Sequence, residues 1–415
     1  MIIYDRIKKF EELSMGMFVH FGLYSLMGRG EWIYNFLSDE ERAEYLKELP
    51  KKFNPDSDWA EKLVATAKAA GCKYITLTTR HHDGFSLYDT CGLNDFDAPH
   101  AAAGRDLVRE FVDACRAEEI VPFFYHTLLD WYVPEYKTDF PKYLKYLRDS
   151  VEILCTRYGE IGGLWFDGKW NKRDADWEED ALYGMIRRHQ PEAMIINNTG
   201  MTFRGQKGNP EIDSLTFERG NPEPYEFSDD EKYLSREMCQ VFADHWGYAE
   251  ADFDFKSLPQ IIKDVCTCRR YGANYLLNVG PMANGKLRRL DEAMLMTLGE
   301  WIADASEAVY GTKPSDLKIE NKETDFIVEG ENASYLFCYG LPIKGSADVT
   351  LLMQNPDFWD VFESDGRKIE SVTWLDAPEK SLTFKEENGK TTIYTTPYGY
   401  GTHRVVRIAK IKWKA

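Results

Sequence analysis

The chain has 415 residues, of which 43% are hydrophobic and 29% are charged. This length suits one large barrel plus a smaller domain, and the composition is that of a folded protein. The 51 Lys and Arg face 69 Asp and Glu, and the net charge of −18 argues against a nucleic-acid partner, which needs a basic surface. No apolar run approaches the ~18 residues of a membrane span, so we expect no membrane partner. The amino terminus lacks a signal-peptide core, which predicts a cytoplasmic location.

Eight cysteines are scattered along the chain, most of them among apolar neighbours. Cys266 and Cys268 are separated by one residue, a spacing that fits neither a zinc knuckle nor a redox pair. We therefore predict buried free thiols, as in a reducing compartment, rather than a disulfide framework.

From about residue 14 to residue 305, short β-rich runs alternate with amphipathic helical patterns. In the clearest unit Ser57 or Asp58 caps a helix, Gly71 ends it and a strand follows. The alternation favours an α/β fold, a (β/α)8-like TIM barrel, over an open doubly wound sheet. One barrel strand is missing or irregular, within about residues 225–250. The predicted strands are Met17–Phe21, Tyr74–Thr79, Val121–Thr127, Gly163–Asp167, Met194–Asn198, Leu215–Glu218 and Tyr275–Val279, and the predicted helices cover 39–49, 104–118, 139–158, 175–189, 257–271 and 287–304.

The pattern changes after about residue 311, which predicts a catalytic barrel over 1–311 and a second domain over 312–415. Alternating apolar and polar runs are separated there by turns rich in Gly, Asn and Asp, which is typical of a C-terminal antiparallel β-sandwich. The sequence leaves open whether this domain supports the barrel or binds sugar. The runs are Asp325–Val328, Ser334–Cys338, Asp348–Met353, Thr391–Tyr394 and His403–Ile408.

Polar side chains stand at the carboxyl ends of the predicted barrel strands. Enzymes with this fold place their active sites at that face, because the loops and strand ends converge there. Such groups are costly to bury unless they meet partners or a ligand, so several in register indicate a site. They are His20, Arg80-His81-His82-Asp83, Tyr125-His126 with Asp130-Trp131, Asp167, Asn197-Asn198, Glu218-Arg219 and Asn278.

The histidines of this set favour a polyhydroxylated ligand over a metal ion. His81 and His82 are adjacent, and in an extended chain they would point to opposite sides, which argues against both ligating one ion. Neutral imidazoles donate to or accept from hydroxyl groups, and the 11 Trp and 24 Tyr suit stacking against sugar faces. His126 is interpreted as a structural histidine with its own hydrogen bonds. A metal site is the less favoured alternative.

Two carboxylates are the candidate chemical groups. Asp167 ends an apolar run beside Trp165, and Glu218 ends a neighbouring run. Strand-end carboxylates two strands apart can face each other across a barrel mouth. Such a pair hydrolyses glycosides, with retention at a separation of ~5–5.5 Å and inversion at ~6.5–9.5 Å, and the sequence leaves that gap open. For Asp167, the structural alternatives are a helix cap and a buried ion pair.

Longer motifs in the same region indicate more specifically which kind of enzyme this is. They are Gly16–Ser25, Gly30–Trp32, Thr79–Phe85, Tyr125 with Asp130-Trp131, Leu164–Gly168, Ser214–Glu218, Trp246–Tyr248 and Asn274–Pro281. Together, over about residues 10–305, they resemble the α-L-fucosidases of glycoside hydrolase family 29. That family has a (β/α)8-like barrel followed by a β-sandwich, and its members are retaining exo-enzymes that need no metal. The resemblance implies hydrolysis of terminal fucose from a fucosylated oligosaccharide or glycoconjugate, with no cofactor.

The resemblance also implies roles for individual residues. Asp167 matches the family's nucleophile, and Glu218 matches a glutamate that serves as acid/base in many members. The acid/base lies in a variable loop, so Glu223, Glu226 and Glu237 are alternatives, and Glu237 is interpreted as structural or supporting. The positions that match the fucose pocket are His20, Glu31, Trp32, His81, His82, Tyr125, Trp165 and Trp246.

Two departures from the family pattern affect fine positioning and aglycone preference. Thr199 stands where many relatives have an arginine, and His126 stands where a serine is common. The linkage and the aglycone are left open, because their contacts come from loops such as 171–180 and 204–209. Another retaining exo-glycosidase, a transfucosidase and a catalytically silent glycan-binding protein are the alternative functions. Homo-oligomerisation is open as well.

Overall fold

The computed structural model describes residues 2–199, 204–225, 227–344 and 358–414. Contacts divide the chain into two compact units, one of Met1–Lys256 with Asn274–Thr297 and one of Ser257–Ala273 with Leu298–Ala415. Compactness does not measure which segments fold alone, so the domain boundary after residue 311 stays a prediction.

Eight parallel strands form a closed barrel in chain order, with the last strand pairing back onto the first. The barrel prediction is confirmed, and the predicted strands agree with the observed ones to within two residues at each end. The strands are β1 (Met15–Val19), β2 (Tyr74–Arg80), β3 (Val121–Thr127), β4 (Gly163–Asp167), β5 (Met194–Asn197), β6 (Ser214–Glu218), β7 (Ser235–Val241) and β8 (Asn274–Val279).

The strand that the sequence left unassigned is β7, which lies within the expected interval 225–250. It is a regular strand rather than an irregular one, because it is buried throughout and pairs with both β6 and β8. Its sequence, Ser-Arg-Glu-Met-Cys-Gln-Val, has neither an apolar run nor clean alternation, and its buried Glu237 is held by hydrogen-bond donors from other strands. The shortest strand pairing in the barrel is instead between β5 and β6, which pair at one position, Ile196 with Ser214.

The helical prediction is confirmed for the six segments given by number and for the helix between Asp58 and Gly71, which is α4, whereas α1, α2 and α6 were not predicted. None of the helices within the described ranges is long and apolar enough to span a bilayer. Short 3-10 turns cover Leu23–Leu26 and Lys169–Lys172. The helices are α1 (Asp5–Leu13), α2 (Ile33–Phe36), α3 (Asp39–Glu48), α4 (Trp59–Ala69), α5 (Leu107–Ala117), α6 (Glu135–Thr138), α7 (Phe140–Arg157), α8 (Glu179–His189), α9 (Leu258–Tyr271) and α10 (Arg289–Val309).

Helix α1, which the sequence analysis missed, fills one end of the barrel. Ile7 and Phe10 are buried in the barrel core, one helical turn apart. The Phe10 ring meets Tyr74 edge-on at 5.5 Å and lies 5.6 Å from Phe123. The amino-terminal end of the barrel is therefore packed.

Aromatic side chains also fill the barrel interior further along the strands. Successive residues alternate between the two faces of a strand, so Trp165 and Asp167 share the interior side of β4. Tyr125 of β3 pairs with Trp165 in register, and the two rings stack at 5.8 Å. Phe18 of β1 meets Trp165 edge-on at 5.1 Å. These rings form a solid floor below the carboxyl ends of the strands.

The carboxyl-terminal residues form two antiparallel sheets, which confirms the predicted sandwich. Leu336 and Trp374 from one sheet and Phe362 and Ile393 from the other belong to one buried core. The predicted strand at Asp348–Met353 lies outside the described residues. One sheet has the order β14 (Ala377–Ser381), β13 (Ile369–Trp374), β17 (Val406–Trp413), β11 (Ala333–Tyr339), β10 (Phe326–Glu329), β9 (Lys313–Pro314), and the other β12 (Phe358–Glu363), β16 (Lys390–Thr395), β15 (Thr383–Glu387).

All eight cysteines are free thiols, as the sequence analysis predicted. Seven are buried, and burial raises the pKa of Cys72 to about 12, which keeps that thiol protonated and inert. Cys91 is the exception, because it is exposed in a turn after β2. The expectation of burial is wrong for Cys91.

Candidate active site

A pocket with about 390 Å³ of empty space opens at the carboxyl ends of the barrel strands. Eight of the ten predicted site residues line it, and Glu31 and His82 are not among the lining residues. The lining residues are Phe18, His20, Trp32, His81, Tyr125, Trp165, Asp167, Trp170, Asn198, Glu218, Cys239 and Trp246.

Asp167 is the last residue of β4, and its carboxylate is surrounded by hydrogen-bond donors. Tyr125 donates its hydroxyl to Oδ2 at 3.2 Å. Trp170 and Asn198 donate to Oδ1 at 3.2 and 3.3 Å. These donors are neutral, and within the described ranges no arginine or lysine forms an ion pair with the carboxylate. The cap of the following 3-10 turn is Gly168 rather than Asp167. Both structural alternatives for Asp167 are therefore wrong.

Gly168 lets the chain turn sharply after Asp167. Its φ of +97° is in the left-handed region that favours glycine. A Cβ atom built there would lie 2.7 Å from the backbone nitrogen of Leu129, a contact that neither backbone could relieve cheaply. The close approach of the β3 loop and the turn after β4 thus fixes where Asp167 stands.

Glu218 ends β6 and lines the same pocket. Asn198 donates its amide to Oε2 of Glu218 at 2.7 Å. Burial raises the pKa of Glu218 above its ordinary value, and the negative charge of Asp167 raises it further, against the opposing hydrogen bond from Asn198. A carboxyl with a raised pKa next to an ionised carboxylate is the environment of a general acid.

The side-chain amide of Asn198 also limits how far apart the two carboxyls can be. One nitrogen lies within hydrogen-bond distance of Oδ1 of Asp167 and of Oε2 of Glu218. These two oxygens are therefore at most about 6 Å apart, so the two carboxyls face the same part of the pocket.

Two of the alternative acid/base candidates, Glu223 and Glu237, do not line the pocket. Glu237 lies below the floor, where Trp165 donates to Oε1 at 2.8 Å and Tyr74 donates to Oε2 at 2.7 Å. Burial raises the pKa of Glu237 to about 7. Glu223 is exposed and outside the pocket lining, and Glu226 lies outside the described residues.

His20 is held as a neutral imidazole with a defined tautomer. Burial lowers the pKa of His20 to about 3. Asn278 donates its amide to the backbone oxygen of Trp246 at 2.7 Å, so its Oδ1 faces Nδ1 of His20, 2.6 Å away. Because that oxygen can only accept, Nδ1 carries the proton, and Nε2 is left as an acceptor for a ligand hydroxyl.

His81 and His82 lie side by side instead of pointing apart. Their ring centroids are 4.2 Å apart, because residues 81–83 leave β2 in a turn rather than as an extended chain. His82 bonds the Thr127 hydroxyl through Nδ1 at 2.6 Å and places Nε2 3.5 Å from Oδ2 of Asp167. Nδ1 of His81 is buried without a hydrogen-bond partner, and burial lowers the pKa of both rings. The expectation of opposite directions is wrong.

Glu31 supports the pocket wall from behind. It is buried and accepts a hydrogen bond from the backbone nitrogen of Gly247 at 2.8 Å. That bond fixes the segment that carries Trp246, whose ring lies 5.2 Å from His20. Trp32, next to Glu31, stacks on Trp170 at 5.6 Å. Glu31 is therefore placed to position this wall, and its contact with a ligand stays a prediction.

The sequence analysis missed four residues of the pocket lining, which are Phe18, Trp170, Asn198 and Cys239. Asn198 was recognised as a strand-end residue but was not assigned to the site. Trp170 follows Asp167 by three residues in the 3-10 turn, and only the path of that turn brings its indole back to Asp167. The interior face of β7, which carries Cys239, gave no sequence signal.

The two departures from the family pattern lie outside the pocket lining. Thr199 donates its hydroxyl to the backbone oxygen of Gln206 at 2.9 Å, within its own loop. His126 is buried, with Nδ1 2.8 Å from the backbone oxygen of Thr127 and Nε2 3.3 Å from the Tyr88 hydroxyl. The interpretation of His126 as a structural histidine is confirmed.

One group within the described ranges has the spacing to hold a metal ion, and it is in the carboxyl-terminal unit. It consists of Asp325, Cys338 and Asp360, all buried. The ammonium group of Lys322 already lies 3.1 Å from Asp360 and 3.3 Å from Asp325, in the place of a cation. These residues are therefore explained as a buried charge cluster. That the barrel site works without a metal stays a prediction.

Comparisons with known proteins agree with this geometry. The family model described as Alpha-L-fucosidase matches residues 4–307. Tissue alpha-L-fucosidase of Bos taurus is 28% identical over 355 residues, covering 77% of this chain and 72% of the relative. The enzyme of the same name from Macaca fascicularis is 27% identical over 343 residues, covering 76% and 71%.

Solved structures show the same fold. Alpha-L-fucosidase isoenzyme 1 from Paenibacillus thiaminolyticus has a TM-score of 0.80 and 27% identity, and the match covers 99% of both chains. A GH29 alpha-L-fucosidase from Bacteroides thetaiotaomicron, solved as a trapped covalent intermediate, has a TM-score of 0.80 and 22% identity, and the match covers 99% of this chain and 97% of that one. Since the family match spans most of the chain and includes both strand-end carboxyls, this chain belongs to the α-L-fucosidase family of glycoside hydrolases.

Proposed function

We propose that the chain is a retaining exo-α-L-fucosidase that releases terminal fucose through a covalent fucosyl-aspartate intermediate. The observation that carries this proposal is that Asp167 and Glu218 line one pocket and share a single amide donor, Asn198. Because the two carboxyls face one pocket, one of them can attack a sugar carbon while the other protonates the leaving oxygen.

The first step is attack by the Asp167 carboxylate on the anomeric carbon. Glu218 gives its proton to the glycosidic oxygen, so the bond from the anomeric carbon to the leaving oxygen breaks as the bond to Asp167 forms. In the second step Glu218, now ionised, takes a proton from water, and the water oxygen displaces Asp167. Two displacements at one carbon restore its original configuration.

The other lining residues suit a deoxy sugar with several hydroxyl groups. The free Nε2 of His20 can accept from one hydroxyl, and the His81 ring lines the same pocket. The rings of Trp246 and Phe18 lie 5.9 Å apart and offer an apolar surface to a methyl group. Support for the covalent step also comes from the Bacteroides thetaiotaomicron relative, in which such an intermediate has been trapped.

The test combines substitution of the nucleophile with the stereochemistry of the first product. Asp167→Asn keeps the shape of the side chain and should lose nearly all turnover of an aryl α-L-fucoside, while the exposed neighbour Asp174 changed to Asn should not. Nuclear magnetic resonance should detect the α-anomer of fucose first. Release of the β-anomer first, or normal turnover by Asp167→Asn, would refute the proposed mechanism.

The same assays separate the alternative functions. Excess acceptor sugar that diverts most fucose into transfer products would support a transfucosidase. Fucose binding by calorimetry without any cleavage would support a glycan-binding protein. A panel of fucosylated oligosaccharides, scored by released fucose, identifies the linkage and the aglycone.

A further inference from the structure

Asn198 bridges the two carboxyls, and the surrounding bonds determine which way its amide points. Thr216 donates its hydroxyl to Oδ1 of Asn198 at 3.3 Å. The amide nitrogen therefore faces the carboxyls, and its two hydrogens reach Asp167 and Glu218. The opposite orientation would set the amide oxygen against two carboxyl oxygens, which is repulsive.

The backbone places Asn198 at this point. Its backbone nitrogen donates to the backbone oxygen of Phe166 at 2.8 Å, which extends the pairing of β4 and β5 by one residue. Side chains alternate along the strand, so the preceding Asn197 points the other way and donates to the Tyr183 hydroxyl at 2.8 Å. Two adjacent asparagines thus have different surroundings, and only the second lines the pocket.

We propose that Asn198 is a positioning residue that holds the nucleophile and the acid/base at one spacing and determines which oxygen of Glu218 carries the proton. The inference rests on the proposed function, because it assigns roles to the same two carboxyls. The amide nitrogen can only donate, so the Glu218 oxygen that it contacts, Oε2, serves as an acceptor. The transferable proton therefore resides on Oε1.

An amide suits this position better than a charged side chain. Charged groups near Glu218 are Asp167, Glu31 and Arg219. A carboxylate at position 198 would add a negative charge next to that of Asp167 and strengthen the hold of Glu218 on its proton. A cation would favour the ionised form of Glu218 and remove the acid. An amide donates to both carboxyls without changing the charge of the site.

Loss of the amide should affect the two carboxyls unequally. Asp167 keeps the donors Tyr125 and Trp170 when Asn198 is removed. Glu218 loses the amide that bonds its side chain. The damage should therefore fall on proton donation, which matters most for substrates with poor leaving groups.

The experiment compares Asn198→Ala, Asn198→Asp and Thr216→Val on a series of aryl α-L-fucosides of increasing leaving-group pKa. We expect Asn198→Ala to lose about 100-fold in kcat/KM for the poorest leaving groups and about tenfold or less for the best, because general acid catalysis contributes on that scale. Thr216→Val should show the same trend more weakly. Asn198→Asp should move the alkaline limb of the pH profile to higher pH.

Asn197→Ala is the matched control, since that side chain bonds Tyr183 and lies outside the pocket lining. Any loss it causes should be equal across the leaving groups, and thermal melting of each variant reports folding separately. An equal loss for Asn198→Ala across the series, with an unchanged pH profile, would overturn the inference while leaving the proposed function intact. A wild-type protein that cleaves none of the fucosides would overturn both.

Discussion

Trp165 donates its indole N–H to the carboxyl of Glu237 at 2.8 Å, directly beneath the pocket. The Trp165 ring stacks on Tyr125, whose hydroxyl in turn donates to Asp167. The position of the proposed nucleophile therefore depends on a buried carboxyl that does not line the pocket. Glu237 should also affect the stability of the protein, because it is a buried carboxyl whose hydrogen-bond donors, Tyr74 and Trp165, carry no charge.

Glu237 should make the barrel less stable as the pH rises. Burial raises the pKa of Glu237 from 4.5 to about 7, so between these values the folded protein binds a proton that the unfolded chain has released. The contribution of Glu237 to the free energy of unfolding is fully present below pH 4.5. It is lost as the pH rises towards 7, and the total loss is up to about 3 kcal/mol. Glu237→Gln cannot ionise and should flatten this dependence in urea unfolding between pH 4.5 and 7.

The exposed Glu61 of α4 changed to Gln provides the control for a simple change of net charge. The control should retain the slope of the wild-type protein. If Glu237→Gln also retains it, the carboxyl does not titrate in this interval and the explanation is wrong.

Glu218 should behave as the acid/base in chemical rescue. Glu218→Ala should lose activity most on substrates with poor leaving groups, and added azide should restore turnover by attacking the fucosyl intermediate without base assistance. The alkaline limb of wild-type kcat/KM should lie above the ordinary pKa of a glutamate, because burial and the charge of Asp167 raise the pKa of Glu218. Azide rescue of Glu237→Ala instead would transfer the role to that residue.

The barrel and the two carboxyls were predictable because both depend on local sequence. Apolar runs such as Gly163–Asp167 form buried strands, and a polar residue at the end of such a run is placed at the mouth of the barrel whatever the loops do. Asp167 and Glu218 were found for this reason. β7 was missed because its interior residue Glu237 is polar and is satisfied by Tyr74 and Trp165, which are far away in sequence.

The finer parts of the site depend on turns and on contacts between distant segments. His81 and His82 lie side by side because of a turn that the motif does not specify, and Trp170 returns to Asp167 through a 3-10 turn. The bridging role of Asn198 requires β5, β4 and β6 to be in place at once. Such relationships have no periodicity in sequence, so only the fold reveals them.

His20 should stay neutral over the working pH range, because burial lowers its pKa more than the hydrogen bond with Asn278 raises it. Burial lowers the pKa of His20 to about 3, so the wild-type pH profile should show no limb from this residue between pH 5 and 8. Asn278→Asp would place a carboxylate 2.6 Å from Nδ1 and raise that pKa. Protonation would then turn Nε2 from an acceptor into a donor, so kcat/KM should fall as the pH is lowered.

Asn278→Ala is the matched variant for this test, since it also removes the bond to the backbone of Trp246 but adds no charge. It should lower kcat/KM by a similar factor at every pH. The same pH profile for both variants would show that protonation of His20 does not affect kcat/KM.

Gly168 should tolerate no side chain, because it combines a left-handed backbone with a close contact. Gly168→Ala would strain the backbone at φ +97° and press a Cβ atom against the backbone of Leu129 at 2.7 Å. We expect a loss of about 2 kcal/mol or more in the free energy of unfolding, since strain alone costs on the order of 1–3 kcal/mol. Gly92→Ala separates the two causes, because Gly92 has φ +85° and nothing within 4 Å of an added Cβ. It should show the strain alone, whereas Gly168→Ala should also lower kcat by displacing Asp167, and an equal kcat for the two variants would show that this contact does not position the nucleophile.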